Sequence, residues 1–422
     1  MNSKNKLFLT KARLSGYKSI NDVNIDFVEG LNIIIGKNAV GKTNFLNFLN
    51  SSLNLNFSNS NNFESSFTIR NNDIYYDFLF SKKTSLSFSN KEKIKFLGLK
   101  KINPTFFGKL DIVDEKNKKT ANYVISDEEQ SELFLESLMV DNVFLKSTLI
   151  RHGLPKNYLI IDTPLNIELI NKNISDDFLN LINNDNQSSF FDRLLTSTIT
   201  MDLIDNKYFN KRLKKEDSLE KFTKQKRTEY KNSVISNLSF LDELKDILKE
   251  FSPIENVRIN DNFLLEIDNE NEKISLKNFF LEFYIDKKWY SFDDLSDGTK
   301  RIFYIISEIF ILDKRMYVNE EEKRLNVIFI EEPELGIHPF QLFNLMRFIK
   351  EKSRTNQIII TTHSPLSLDI LEKDELTSII LATKSGNQTN LIKLSKEKLE
   401  KAKMYMDELN LSDFWLNSNL ED

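Results

Sequence analysis

"LNIIIGKNAVGKTNFLNFLN", residues 31–50, decides the fold. An apolar run stops at Gly36, "GKNAVGKT" (36–43) fits G-x-x-x-x-G-K-[ST], and a helix stripe of Phe45, Leu46, Phe48 and Leu49 follows at once. Strand, glycine loop and helix together are the context in which this pattern cradles phosphate. Gly36 and Gly41 let backbone N–H groups approach phosphate oxygens without a side chain in the way. Lys42 then reaches the β- and γ-phosphates, and the Thr43 hydroxyl binds Mg²⁺. The N-terminus of the helix adds favourable dipole charge.

Three further stretches carry the same theme. "NVIFIEEPELGIHP" (326–339) leads an apolar strand into two adjacent carboxylates. Neighbouring side chains at a strand end point to opposite sides, so Glu331 is expected to face Mg²⁺ and Glu332 the attacking water. "IIITTHSP" (358–365) ends another strand at His363, where an imidazole can hydrogen-bond a γ-phosphate. "LSDGTKR" (295–301) places Ser296, Asp297 and Gly298 at the start of a helix. Ser296 or Asp297 can serve there as the N-cap.

Around these motifs the chain alternates. "LFLTKARL" and "VNIDF" read as strands, 66–125 is strand-like, and 127–150 and 165–250 look mainly helical, with one long helix at about 218–250. After residue 301 helices and apolar strands take turns, which argues for an α/β core with a largely parallel sheet. The chain of 422 residues is 40% hydrophobic and 29% charged, with a net charge of −5 and no cysteine. Disulfides, thiolate metal sites and a cysteine nucleophile are excluded. The field of the whole chain does not favour nucleic acid. No signal peptide or membrane span is read from the sequence, so a cytoplasmic protein without a membrane partner is expected.

Taken together, the motifs resemble the ABC-type ATPase superfamily: Walker A at 36–43, a signature at 295–300, Walker B at 327–332, a D-loop at 334–339 and a switch histidine at 363. "ARLSGYKSI" and "EEPELGIHP" bring the chain closer to the AAA15/AAA21 and OLD-like bacterial ATPases, relatives of RecF, Rad50 and SMC heads. The resemblance covers roughly 5–50 and 285–395. It implies an α/β fold, an ABC-type P-loop NTPase head with mixed sheet, plus a largely helical insertion between Walker A and signature. The expected domains are an N-terminal lobe (1–125), the insertion (126–254) and a C-terminal lobe (255–422).

The resemblance also implies roles. ATP is bound by Gly36, Asn38, Gly41, Lys42, Thr43 and Asn44, Mg²⁺ is held by Thr43 and Glu331, and catalysis falls to Glu332 and His363. Ser296, Asp297, Gly298 and Lys300 cap the ATP of a second copy, so that ATP closes a homodimer or higher oligomer. Glu331 stands where Asp is more usual. No glutamine occurs between Thr43 and Gln130, which leaves Gln130 as a weak counterpart of the Q-loop. Arg13 and Lys18 lie near the first strand as further candidates.

Segment 211–231 carries nine basic and four acidic residues and is a possible nucleic-acid contact, although such runs more often form a solvated helix face. The one long helix expected at about 218–250 is too short for the long coiled coil of SMC or Rad50 proteins, and with 59 residues after His363 no appended OLD-type nuclease domain is expected. The expectation is an ATP-hydrolysing sensor or scaffold of a bacterial anti-phage, abortive-infection system, resembling the PARIS, Septu and retron-associated ATPases. It would control a separate effector, a nuclease or toxin. The alternative is a RecF/SMC-like repair ATPase acting on DNA.

Overall fold

The computed structural model describes residues 7–57, 62–71, 74–84, 104–114, 119–125, 143–153, 165–170, 173–174, 220–221, 240–260, 262–268, 273–277, 280–315 and 323–417. The chain divides into two compact units. The first comprises Met1–His152, Met316–Glu334 and Met346–Asp422, the second Gly153–Arg315 and Leu335–Leu345.

The first unit is built on two six-stranded sheets. One is antiparallel, in the order β2-β1-β4-β5-β6-β7, from β1 (Leu7–Ser15), β2 (Val23–Asp26), β4 (Phe63–Asn71), β5 (Ile74–Thr84), β6 (Pro104–Asp114) and β7 (Lys119–Ile125). Burial alternates along β4, so one face of this sheet is apolar. The other sheet holds β3 (Leu31–Ile35), β8 (Val143–Ile150), β17 (Lys323–Glu331), β18 (Gln357–Thr362), β19 (Ile379–Ser385) and β20 (Gln388–Lys393), in the order β20-β19-β3-β18-β17-β8. Its first five strands in that order from β8 to β19 are parallel, and β20 closes the edge antiparallel. β3 and β18 are buried at every residue, as strands of a sheet covered on both faces are.

Helix α1 (Lys42–Leu53) shares one hydrophobic cluster with both sheets. Its Phe45 and Phe48 are fully buried, and Phe48 stacks on Tyr17 at 4.8 Å and meets Phe63 edge-on at 5.7 Å. The apolar stripe read from the sequence thus carries the loop–helix junction on a rigid base. The unit ends with α5 (Lys396–Tyr405), capped by Ser395, and α6 (Leu411–Asn417).

In the second unit, β9 (Leu165–Ile170), β10 (Asn173–Ile174), β11 (Glu220–Lys221), β13 (Leu264–Asp268) and β14 (Lys273–Lys277) form a sheet ordered β10-β9-β14-β13-β11. A smaller antiparallel sheet joins β12 (Asn256–Ile259), β15 (Leu281–Ile285) and β16 (Lys288–Ser291). Helices α2 (Phe240–Phe251) and α3 (Asp297–Arg315) belong to this unit, with Phe303 of α3 packed edge-on against Phe283 at 4.9 Å. Helix α4 (Pro339–Lys352) begins in the second unit and ends in the first.

Three sequence expectations need correction. Of the helix expected over about 218–250, Phe240 onward is helical but Glu220–Lys221 is a strand paired with β13, and the residues between lie outside the described ones. Spacing within a segment cannot register a partner more than forty residues away. Within 165–250, Leu165–Ile170 is also a strand, and its Leu165, Ile167 and Leu169 in fact alternate with period two. Val143–Ile150, read as helical and placed in the insertion, is a strand of the parallel sheet beside β17. The compact units therefore do not divide at 125 and 254. Gln130 and all of 211–231 except Glu220–Lys221 lie outside the described residues.

Candidate functional site

The parallel sheet aligns the carboxyl ends of four strands. Ile35 of β3 pairs with Thr362 of β18, Glu331 of β17 with Thr361 of β18, and Ile330 of β17 with Ile150 of β8. Ligands of open α/β sheets bind at such strand ends, and Lys42, Thr43, Glu331, Glu332 and His363 gather here.

The 36–43 loop needs its glycines for steric reasons. A Cβ on Gly36 would stand 2.1 Å from the Ala382 carbonyl oxygen. Gly41 has φ +101°, and a Cβ there would stand 2.0 Å from Thr389 Oγ1. The turn bearing Lys18 braces this point, since Ser19 Oγ accepts hydrogen bonds from Asn44 Nδ2 at 3.0 Å and Thr389 Oγ1 at 2.8 Å. Lys42 is buried, and its ammonium donates to the carbonyls of Gly36 at 2.7 Å and Lys37 at 2.9 Å. Asn38 is exposed on the loop. Arg13 is engaged at the surface by Asp22, at 2.9 and 3.1 Å, and Lys18 lies over the Tyr17 ring.

Thr43 donates its hydroxyl to Glu331 Oε1, and Glu331 is only 2% exposed. Its other oxygen, Oε2, accepts from His152 Nδ1 at 3.0 Å. Burial pushes the Glu331 carboxyl up, but the Thr43 and His152 hydrogen bonds and the charge of His152 outweigh it, so its pKa lies below the usual carboxylate value. Glu332 is the turning point of the strand end. Its φ is +45°, its N–H donates to the Thr361 carbonyl at 2.8 Å, and its Oε1 stands 4.0 Å from Lys42 Nζ and 3.8 Å from His363 Nδ1.

Glu334, buried like Glu331, organises the neighbouring strand end. Its Oε1 accepts from Thr362 Oγ1 at 2.7 Å and from the His363 N–H at 2.8 Å, and His363 Nδ1 stands 3.0 Å from it. Among the described residues, Glu334 Oε2 and Thr361 Oγ1 at these strand ends are buried without a hydrogen-bond partner. The residues fit a nucleotide and a hard cation. The glycine cradle excludes side chains, the ammonium sits on loop carbonyls, and a hydroxyl and a carboxylate meet in a set of oxygen donors.

In the second unit, Ser296 caps α3, accepting the Thr299 N–H at 3.2 Å. Ser296 and Asp297 are exposed, and Lys300 Nζ donates to the Asp293 carbonyl at 2.9 Å. Gly298 is required by a close approach, since a Cβ there would stand 2.4 Å from the Gly336 carbonyl oxygen.

The sequence reading missed His152, Glu334 and Thr361. Thr361 lay inside the stretch 358–365 already read but was given no role. Glu334 lay inside the expected D-loop stretch but was given no role of its own. His152 gives no local signal, because its relation to Glu331 depends on the parallel pairing of β8 with β17.

A glycine-cradled lysine, a threonine bonded to an acidic strand end, a second carboxylate and a histidine at the next strand end define a P-loop ATPase. The chain belongs to the AAA ATPase domain family AAA_15, whose model matches residues 8–366. It is similar to the Septu protein PtuA of Bacillus mycoides (strain KBAB4), 27% identical over an alignment of 154 residues that covers 32% of this chain. The chain spans about a fifth of the length of that relative, 21%. Among solved structures it is similar to an Smc head domain with a coiled coil and joint from Pyrococcus yayanosii, at 12% identity and TM-score 0.46, covering 95% of this chain and 100% of that one. An SMC head domain from Thermotoga maritima matches at 10% identity and TM-score 0.37, covering 92% and 99%. No helix among the described residues is long and apolar enough to cross a membrane.

Proposed function

We propose that this chain hydrolyses ATP with Mg²⁺ and uses the cycle to hold and release a separate effector, a nuclease or toxin, in bacterial anti-phage defence. The observation that carries the ATPase part is the convergence of Lys42, Thr43, Glu331, Glu332 and His363 at adjoining strand ends. The defence role rests on the partial likeness to the Septu protein PtuA and on the sequence resemblance to defence ATPases.

Thr43 and Glu331 would hold Mg²⁺, which when bound neutralises charge on the phosphates. The 36–43 backbone N–H groups and Lys42 bind the phosphates. Glu332, near Lys42 and His363, polarises the attacking water and takes its proton. His363 donates to the γ-phosphate, and Glu334 holds its ring in place from behind. Asn38 and Asn44 complete the ATP-binding set. Ser296, Asp297, Gly298 and Lys300 cap the ATP of a second copy, the N-terminus of α3 offering its dipole to phosphate.

The test is the Glu332→Gln protein, expressed with its native chromosomal neighbours and purified with ATP and Mg²⁺. Loss of the general base lowers turnover roughly 10²–10⁴-fold while the phosphate contacts survive, so an ATP-bound assembly is trapped. Mass analysis is expected to find a stoichiometric nuclease- or toxin-like protein. Nucleic acid without a protein partner would overturn the effector reading in favour of a DNA-repair ATPase.

A further inference from the structure

His152 is used by none of the steps above, yet it touches the most buried carboxylate of the site. Its ring is 55% exposed while Glu331 is 2% exposed, and Nδ1 lies 3.0 Å from Oε2. Two donors on adjacent corners of one octahedral cation, each about 2.1 Å from it, stand about 3 Å apart. The spacing of nitrogen and oxygen is therefore the spacing of two neighbouring ligands. Nothing needs to move far for one ion to take both.

The route by which His152 gets there supports the same reading. β8 pairs in parallel with β17 from Lys323 to Ile330, so the two strands end level, and His152 follows Ile150 by two residues as Glu331 follows Ile330 by one. Neutral imidazole carries its proton on either ring nitrogen. When a cation takes the place of the Nδ1 proton shared with Glu331, the ring carries its proton on Nε2 and the Nδ1 lone pair faces the ion. Thr43 then supplies a hydroxyl, Glu331 a carboxylate and His152 an imidazole. The first two suit Mg²⁺, whereas imidazole favours first-row transition metals.

We infer that His152 is a nitrogen ligand of the cation at the nucleotide site, and that it shifts the preference of that site from Mg²⁺ toward a transition dication such as Mn²⁺. This rests on the ATPase reading of the same site.

The probe is Mn²⁺ with the non-hydrolysable analogue AMP-PNP on the full-length chain, read by pulsed electron paramagnetic resonance. Wild-type protein is expected to show the nitrogen modulation of a directly bound imidazole, and ¹⁵N-histidine labelling should alter it without any mutation. His152→Gln and His152→Ala should lose the signal. They should also lose roughly 10–100-fold in Mn²⁺ affinity, the scale of perturbed metal-site partners, with a smaller loss for Mg²⁺. Nucleotide and Mn²⁺ bound without imidazole modulation would overturn the inference and leave the ATPase reading standing. Failure of wild-type protein to bind AMP-PNP would overturn both.

Discussion

At the scale of single residues, the site spends backbone strain to aim one carboxylate. Glu332 adopts φ +45°, a conformation that costs a non-glycine residue on the order of 1–3 kcal/mol. The geometry is held because its N–H is tied to the Thr361 carbonyl while its carboxylate points toward Lys42 and His363. Two residues on, Glu334 is buried and accepts two hydrogen bonds on one oxygen, from the Thr362 hydroxyl and the His363 N–H, with His363 Nδ1 3.0 Å from the same oxygen. It acts as a positioning residue. Glu334→Ala is expected to lower kcat about 10-fold or more while the Kd for ATP stays within about 2-fold, because the phosphate-binding groups are untouched and one oriented donor is lost. Glu334→Gln keeps an acceptor oxygen and should recover part of the loss. Steady-state kinetics with a fluorescent-nucleotide titration separates the two quantities, and an equal fall in affinity would refute the positioning role.

At the scale of elements, Gln357 ties the two sheets of the first unit together. It opens β18, and its Oε1 accepts the Leu9 N–H at 2.8 Å while its Nε2 donates to the carbonyls of Leu9 at 2.8 Å and Val28 at 3.0 Å. The register of β1 shifts between Leu9 and Lys11, so this buried amide satisfies backbone groups that an irregular ladder leaves open. Gln357→Leu is expected to destabilise the protein by about 1–3 kcal/mol per stranded group, seen as a lower urea midpoint. Gln357→Glu should also destabilise, since the carboxylate cannot donate to either carbonyl. The same contrast between local and distant partners explains what could be read in advance. β3, β17 and β18 were legible because each is an apolar run stopped by a glycine, an acidic pair or a histidine motif. β8 was not, since "VFLKSTLI" is equally compatible with a buried helix and its partner β17 begins at residue 323. With β8 misread, His152 had no reason to stand out, and Gln357 had no visible role because Leu9 is 348 residues away.

At the scale of the whole molecule, the question is why one chain carries both a phosphate loop and a capped helix start with an exposed serine. Lys42, Glu331, Glu332 and His363 belong to the first compact unit, and Ser296 to the second. Ser296 Oγ already caps α3 through the Thr299 N–H, and the oxygen of a hydroxyl retains capacity for another partner. Its exposure leaves it open to a ligand from outside, and Gly298, pressed against the Gly336 carbonyl, fixes the backbone at that point. If ATP on one copy is capped by the helix start of another, a bulky cation at position 296 should leave nucleotide binding alone and abolish assembly. Ser296→Arg is therefore expected to bind ATP with a Kd within about 2-fold of wild type. In the Glu332→Gln background it should stay monomeric by light scattering with ATP, while Glu332→Gln alone dimerises. Turnover of the single mutant should fall by at least about 10², the scale for lost transition-state donors. Ser296→Ala is the control for helix capping, costing about 1 kcal/mol of stability with a much smaller loss of assembly. Wild-type turnover in Ser296→Arg would mean that each chain completes its own site, and the shared-site dimer would have to be abandoned.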